Sequence, residues 1–380
     1  MGIEIREHRP GEGIDAFIEV GHEVFRRDPA WVPPLQMEIK DRLTPGKNPF
    51  FEHGDAMIFT AQKDGRLVGR CTASIDHLHL ERWKDETGFF GMMDSIDDPA
   101  VTKELLAAAE EWLRRRNMKH ARGPLCLNMN EEVGTLIEGF EHPPVIMTGH
   151  SRPYQAGLIE QAGYHKAKDL FAWRYDVTGA MHPRADKAWQ AVQEMPEVKF
   201  RSVKKRDMEN ELRVIMDIFN DAWSENWGFV QATSNEVKKI AADMKLIIDE
   251  GMAFFADVDG KPVGICICLP NLNEAIFDAN GKLFPLGLPK LLWRLKVKGP
   301  KWGRLIMLGI KKELRGVKRY GALSLAMYVE LSKRGHERGY EWGELSWTLE
   351  DNHPMNLGIK AMGAKVYKKY RLFEKDLASA

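Results

Sequence analysis

Residues 304–327, RLIMLGIKKELRGVKRYGALSLAM, bring together the residue types that hold a diphosphate. An apolar run, Leu305–Ile310, leads through Lys311–Tyr320 into a stretch with helical spacing, Leu323–Arg338. The turn between them carries Arg315, Gly316, Val317, Lys318, Arg319, Tyr320, Gly321 and Ala322. The first N–H groups of a helix find no partner within it, and its N-terminus carries about half a positive charge, so anions collect there. Glycines let the backbone approach closely or take positive φ. From Lys290 to Arg319 the chain has eleven basic residues against one acid, Glu313. In a chain whose formal net charge is zero, such a run asks for a polyanion.

A second set of residues suits acid–base work. Glu344, Ser346 and Thr348 alternate on one face of a predicted strand, opposite Leu345 and Trp347. Glu344 is the leading candidate for a base, with Ser346 beside it. Glu225, between Trp223 and Trp227, is another. Trp223, Trp227 and Phe229 form a candidate apolar wall, and Asn128, Asn130, Glu131 and Glu132 close the corresponding strand in the first half of the chain. His77-x-His79 has no third ligand, so no metal is expected. Cys71, Cys126, Cys266 and Cys268 form no CxxC pair and read as buried free thiols.

The elements that must position these residues occur twice. Residues 57–74, MIFTAQKDGRLVGRCTAS, read as strand, Asp64-Gly65 turn, strand, and residues 252–269, MAFFADVDGKPVGICICL, repeat the pattern around Asp259-Gly260, 195 positions on. Asp-Gly between alternating apolar runs is a strong hairpin signal. Gly163 and Gly363, each before a closing strand, are 200 apart. Each copy reads as an opening strand (3–7; 199–203), a helical stretch, the hairpin, another strand, a long amphipathic helix (100–117; 323–338), a strand (121–127; 344–348), a short helix and a final strand. The expected fold is α/β with a mixed sheet, in two domains, 1–180 and 181–380, joined near 178–198.

With 380 residues, 44% hydrophobic and 29% charged, the chain is an ordinary globular one, and collagenous or disordered classes are excluded. Neutral charge argues against nucleic acid as a partner. No apolar run approaches the ~18 residues of a membrane span, and the N-terminus MGIEIREHRP lacks a signal-peptide core. A cytoplasmic protein is expected. Residues 284–302, FPLGLPKLLWRLKVKGPKW, interleave Leu and Trp with Lys and Arg, a pattern suited to peripheral contact at the inner face of a membrane.

The basic turn, followed by Leu349-Glu350-Asp351-Asn352, a short helix and Gly363, resembles the GCN5-related N-acetyltransferase (GNAT) superfamily. The resemblance covers most of 198–380 and, more weakly, 50–177. It implies tandem GNAT domains, with acyl-CoA as co-substrate, the diphosphate at residues 315–322, Asn352 completing the cofactor site, and the thioester held along Leu308, Gly309 and Ile310. The pattern departs from the family's: the second and third family glycines fall on Lys318 and Tyr320, and the family's tyrosine acid falls on Ile359. The first copy has Asp94, Asp97, Asp98 and Pro99 where the turn should be, so it is expected to be degenerate and to shape the acceptor site.

Asn48-Pro49-Phe50-Phe51-Glu52-His53, residues 134–144 and residues 226–236 together resemble a narrower group of bacterial two-copy acyltransferases that includes the bacterial ceramide synthases. The expected activity is acyl transfer from acyl-CoA to a primary amine, small or lipid-like, with a long-chain sphingoid base as the specific expectation. Such an amine titrates near ~10.4, so a base or a dry site must favour its neutral form. Two alternatives are an aminoacyl-tRNA-dependent transferase of the peptidoglycan-bridge type and a non-catalytic acyl-CoA-binding module.

Overall fold

A computed structural model describes residues 2–283 and 287–378. In chain order the first part forms β1 (Ile3–His8), α1 (Ile14–Phe25), α2 (Gln36–Arg42), β2 (Gly54–Lys63), β3 (Arg66–Asp76), α3 (His77–Trp83), β4 (Thr87–Ser95), α4 (Pro99–Arg114), β5 (His120–Gly123), β6 (Thr135–Glu138), α5 (Gln155–Gln161) and β7 (His165–Asp176). The rest forms α6 (Pro183–Gln193), β8 (Val198–Ser202), α7 (Met208–Trp223), α8 (Ser234–Ile247), β9 (Ala253–Val258), β10 (Lys261–Pro270), α9 (Leu272–Ile276), α10 (Gly287–Trp293), β11 (Trp302–Ile310), α11 (Leu323–Glu337), β12 (Trp342–Leu349), α12 (His353–Ala361) and β13 (Lys365–Asp376). The two hairpins fall where Asp-Gly predicts them: Asp64, Gly65, Asp259 and Gly260 all have positive φ, as a type I′ turn demands.

The chain divides into two compact units. One holds residues 1–170, 276–288 and 368–380, the other 171–275 and 289–367. In the first unit the strands run β1-β2-β3-β4-β5 and end on the 368–376 part of β13. Neighbours are antiparallel except β4 and β5, which are parallel. In the second unit the order is β8-β9-β10-β11-β12, ending on the 171–176 part of β7, again with one parallel pair, β11 and β12. Each unit thus takes its last strand from the other sequence copy. The stretch 178–198 contains α6, whose N-terminus is capped by His182 and which buries Ala185 and Val192 in the second unit's core.

In that core the apolar stripe of α11 (Leu323, Ala326, Met327, Val329) packs on Phe254, Cys266, Leu305, Leu308 and Leu345 from the sheet. The first unit does the same with Val101, Leu105, Ala109 and Trp112 of α4 against Phe59, Cys71, Ala73 and Phe90. Each fully buried large side chain contributes about 1.5–3 kcal/mol. All four cysteines are buried and free, and burial pushes the Cys71 thiol up to about 12.

Candidate active site

Strands β11 and β12 pair from Trp302 with Trp342 to Leu305 with Leu345, and there their pairing stops, although the strands continue to Ile310 and Leu349. The reason lies in β11. Leu305 stands opposite Cys268 and Met307 opposite Ile267, so Ile306 is an extra residue. A bulge of this kind bends its strand. Beyond it the ladder to β10 is regular, and Lys311 N–H donates to Val263 O at 2.8 Å. Because N–H direction alternates along a strand, Gly309 faces β10 as Lys311 does. Leu308 and Ile310 turn their N–H groups away from β10, to the side β12 has left. Two backbone donors beside a widening gap are what a thioester carbonyl oxygen requires.

Trp223 explains why position 309 is glycine. Its ring lies where a Cβ would be, and Ala222 Cβ stands 3.2 Å from that point. Phe219 joins Trp223 and Phe229 in one aromatic cluster, at centroid distances of 5.0 and 5.4 Å. Trp227 sits in the turn that follows α7, partly buried. The predicted apolar wall therefore stands against the strand that carries Leu308–Ile310.

Past β11 the chain makes a short 3-10 turn (Lys312–Leu314), an exposed Arg315-Gly316-Val317, a second turn (Lys318–Tyr320), then Gly321 and Ala322 before α11. Gly316 has φ +78°, and no atom approaches where its Cβ would be. Arg315 is tied inward: its Nε donates to Ile310 O at 3.1 Å and its Nη2 to Ala222 O at 2.6 Å. Lys311 pairs with Asp217 at 2.6 Å, Lys312 with Glu225 at 2.8 Å, and Arg319 with Glu197 at 2.5 Å. Most of the loop's positive charge is already matched, so the field left for an anion comes chiefly from the helix end. No side chain caps α11 at Ala322. The Lys312 ammonium holds the Glu225 carboxyl below its ordinary range, which weakens it as a base.

In the first unit the same place is closed. β4 carries the same bulge, with Gly91 opposite Thr72 and Asp94 opposite Arg70. Here Leu125 N–H donates to Phe90 O at 3.0 Å, and a Cβ on Gly91 would collide with the Leu125 carbonyl. The Asp98 carboxylate accepts from Ala100 N–H at 3.0 Å, capping α4, and from Lys63 at 2.6 Å. Lys63 and these helix N–H groups hold its carboxyl low.

On the face of β11 and β12 away from α11 lies a buried polar cluster. Glu344 is wholly enclosed, and Arg304 and Ser346 are 4% and 7% exposed. The Ser346 and Tyr367 hydroxyls both donate to the Glu344 carboxylate. Arg304 Nε donates to Ser346 Oγ at 2.9 Å and stands 4.0 Å from Glu344 Oε1. Trp302 and Trp342 flank the cluster, their centroids 4.8 Å apart. The sequence singled out Glu344 and Ser346. It counted Arg304 only as a charge and passed over Tyr367, because only the assembled sheet, with β11 beside β12 and β13 beyond β7, brings these side chains to Glu344. The one available signal was an aromatic residue two positions after Lys365 in the closing strand.

The other predicted residues lie apart from this cluster. Asn352 caps α12, accepting from Met355 N–H at 3.3 Å. The neighbouring Asn356 is the more deeply held amide, bonded to Thr348 Oγ1 at 2.7 Å and to Leu349 O at 3.0 Å. Asn128, Asn130 and Glu131 belong to the first unit. Asn128 Oδ1 accepts from Asn130 N–H at 3.0 Å, and Arg42 pairs with Glu131 at 3.4 Å and Glu132 at 3.0 Å. His77 and His79 bind Asp55 and Asp85, and no group of three or more His, Cys, Asp or Glu side chains among the described residues is arranged to hold a metal.

No protein-family model matches the chain. It is 41% identical over 366 residues to the bacterial ceramide synthase of Caulobacter vibrioides, covering 96% of this chain and 95% of that one. It is 40% identical over 367 residues to protein YghO of Escherichia coli, covering 96% and 93%. Among solved structures it is similar to a tandem GNAT protein from the clavulanic acid biosynthesis pathway (TM-score 0.57, 13% identity, all of both chains) and a GCN5-related N-acetyltransferase from Sphaerobacter thermophilus (TM-score 0.54, 14% identity, 98% and 96%). The fold is that of the tandem GNAT acyltransferases. The chain belongs to the bacterial ceramide synthase family, and it is an acyltransferase.

Proposed function

We propose that the enzyme transfers an acyl group from acyl-CoA to the primary amine of a long-chain sphingoid base. The observation that carries this reading is the separation of β11 from β12 beside the uncapped end of α11. The diphosphate sits at residues 315–322, where Arg315 braces the turn and the helix end supplies the field. The N–H groups of Leu308 and Ile310 hold the thioester oxygen; one such donor is worth about 2.7–4 kcal/mol in the transition state. The amine nitrogen attacks the thioester carbon, the C–N bond forms, the C–S bond breaks, and CoA leaves as thiolate. The amine's proton passes to Ser346 Oγ as that hydroxyl hands its own to Glu344; Tyr367 and Arg304 position the carboxylate.

Residues 181–380 carry the donor, and the first copy binds none, since Asp98 and Leu125 occupy the equivalent places. The acceptor's lipid character agrees with the similarity to a ceramide synthase. It also fits peripheral contact with a membrane through 284–302, where Leu292, Trp293 and Val297 are exposed beside Lys298. Phe284, Pro285 and Leu286 of that segment lie outside the described residues. No described helix is long and apolar enough to cross a membrane.

The test is thiol release from acetyl-CoA and palmitoyl-CoA with a panel of amines that includes a long-chain base, together with calorimetry of CoA. One CoA per chain is expected, with turnover fastest on the long-chain base. Ala322→Asp places a carboxylate at the helix end and is expected to weaken CoA at least tenfold while leaving folding intact. Two CoA per chain, or unchanged affinity in Ala322→Asp, overturns the donor site.

A further inference from the structure

Beneath the point where β11 and β12 part, on the α11 side of the sheet, the second unit contains a cavity of about 40 Å³. Its walls are carbon: Val177, Met252, Leu305, Leu331, Leu345 and Met362 line it. Of the four hydroxyl-bearing residues around it, Tyr175 and Ser332 bond to each other at 2.8 Å, Tyr328 donates to Met355 Sδ, and only the buried Tyr340 hydroxyl has no partner. Three glycines make the space. Gly303 and Gly343 face each other across the parallel pair, and Gly335 looks up from α11. At Gly343 a Cβ would meet only Gly303 O, at 3.6 Å, and at Gly335 it would meet Met252 Cε and Val177 Cγ1 at 3.5 Å, so both positions have room for a side chain and carry none.

Alternation sorts the two faces. Glu344 and Ser346 point to one side of β12, Gly343 and Leu345 to the other. We infer that this cavity is the site of the donor's acyl chain: the chain passes the Leu305–Leu345 vertex and runs between Gly303, Gly343 and Gly335, while the amine meets the carbonyl on the Glu344 face. The inference rests on the acyl-transfer reading above. A dry apolar cavity binds an alkyl chain and rejects polar ligands. Its present volume is too small for a long chain. Met252 and Met362 are unbranched and flexible, and they provide the walls that yield.

Each methylene buried is worth about fourfold in affinity, so filling the cavity must change chain-length preference rather than activity as such. In Gly343→Val the ratio of kcat/KM for palmitoyl-CoA to that for butyryl-CoA is expected to fall at least tenfold, and Gly335→Ala is expected to lower it in the same direction. Leu331→Ala is expected to favour longer chains. Ratios within one variant are independent of how much of it is folded. Gly335→Ala also replaces a helical glycine by the best helix former, so instability does not account for its effect. CoA without an acyl group should bind all variants alike.

A second measurement does not depend on turnover. Fluorescence of cis-parinaric acid should report binding to the wild type and loss of binding in Gly343→Val. Absent parinarate binding, or an unchanged chain-length profile in Gly343→Val, overturns the inference even where acyl transfer is intact. Parinarate binding that Gly343→Val abolishes, in an enzyme that turns over no acyl-CoA, would sink the acyl-transfer reading and leave the chain site standing.

Discussion

The Arg304–Glu344 pair gives the most quantitative test of the site. Arg304→Met removes the guanidinium that stands 4.0 Å from a fully enclosed carboxylate, itself the acceptor of two hydroxyl bonds. Two unit charges 4.0 Å apart, the Nε–Oε1 distance here, attract by about 4 kcal/mol at an effective dielectric of 20. Breaking a buried pair from one side costs about 3–5 kcal/mol. Glu344→Gln makes the converse defect, taking the carboxylate from beside a buried guanidinium that donates to Ser346 Oγ and to the Ser346 carbonyl. The double variant removes both charges and is expected to be destabilised by less than about 2 kcal/mol, because neither charge remains unmatched. Urea unfolding of the four proteins should therefore give single-variant losses whose sum exceeds the double-variant loss by about 4 kcal/mol or more, with unchanged m-values. Losses that add to within about 0.5 kcal/mol would show two independent groups and would remove the basis for treating Arg304 as the residue that positions Glu344. Activity gives a separate readout: Glu344→Gln should lower kcat at least ~10²-fold through loss of the proton acceptor.

Gly309→Ala drives a methyl into the Trp223 ring and should cost about 1–3 kcal/mol as the ring or the strand shifts; kcat should fall at least tenfold, and Trp223→Ala in the same chain should restore stability. Full activity in a folded Gly309→Ala protein would take this strand out of the site. In the first unit, Asp85 is partly buried, which alone would raise its carboxyl, yet bonds from His79 and the charge of Arg122 hold it well below the usual range. A depressed folded value means that the ionised group stabilises the fold above the ordinary carboxylate range and loses that effect as pH falls through the depressed value. Asp85→Asn should therefore be about 1.5–3 kcal/mol less stable at pH 7, with the difference shrinking towards about pH 2; a gap that stays constant with pH contradicts this linkage.

Local chemistry made much of this protein legible. Asp64-Gly65 and Asp259-Gly260 announce their hairpins because both residues of a type I′ turn need positive φ. The alternation of 344–348 puts Glu344 and Ser346 on one face, since side chains on a strand repeat every second residue. Asp98-Pro99 declares a capped helix, whereas the turn before Leu323 lacks such a cap. These features depend on residues within a few positions of one another, so the linear order contains them. What the linear order does not contain is who stands beside whom. The exchange of β7 and β13 between units, the meeting of Arg304 and Tyr367 at Glu344, the extra residue at Ile306 that parts β11 from β12, and the pairing of Lys311, Lys312 and Arg319 with distant carboxylates all arise from strand register and helix packing. Burial of apolar faces is non-directional and says only that a strand must be covered. The choice of neighbour is made by the whole set of contacts at once, and it turns a run of positive charge into a braced turn with a free helix end.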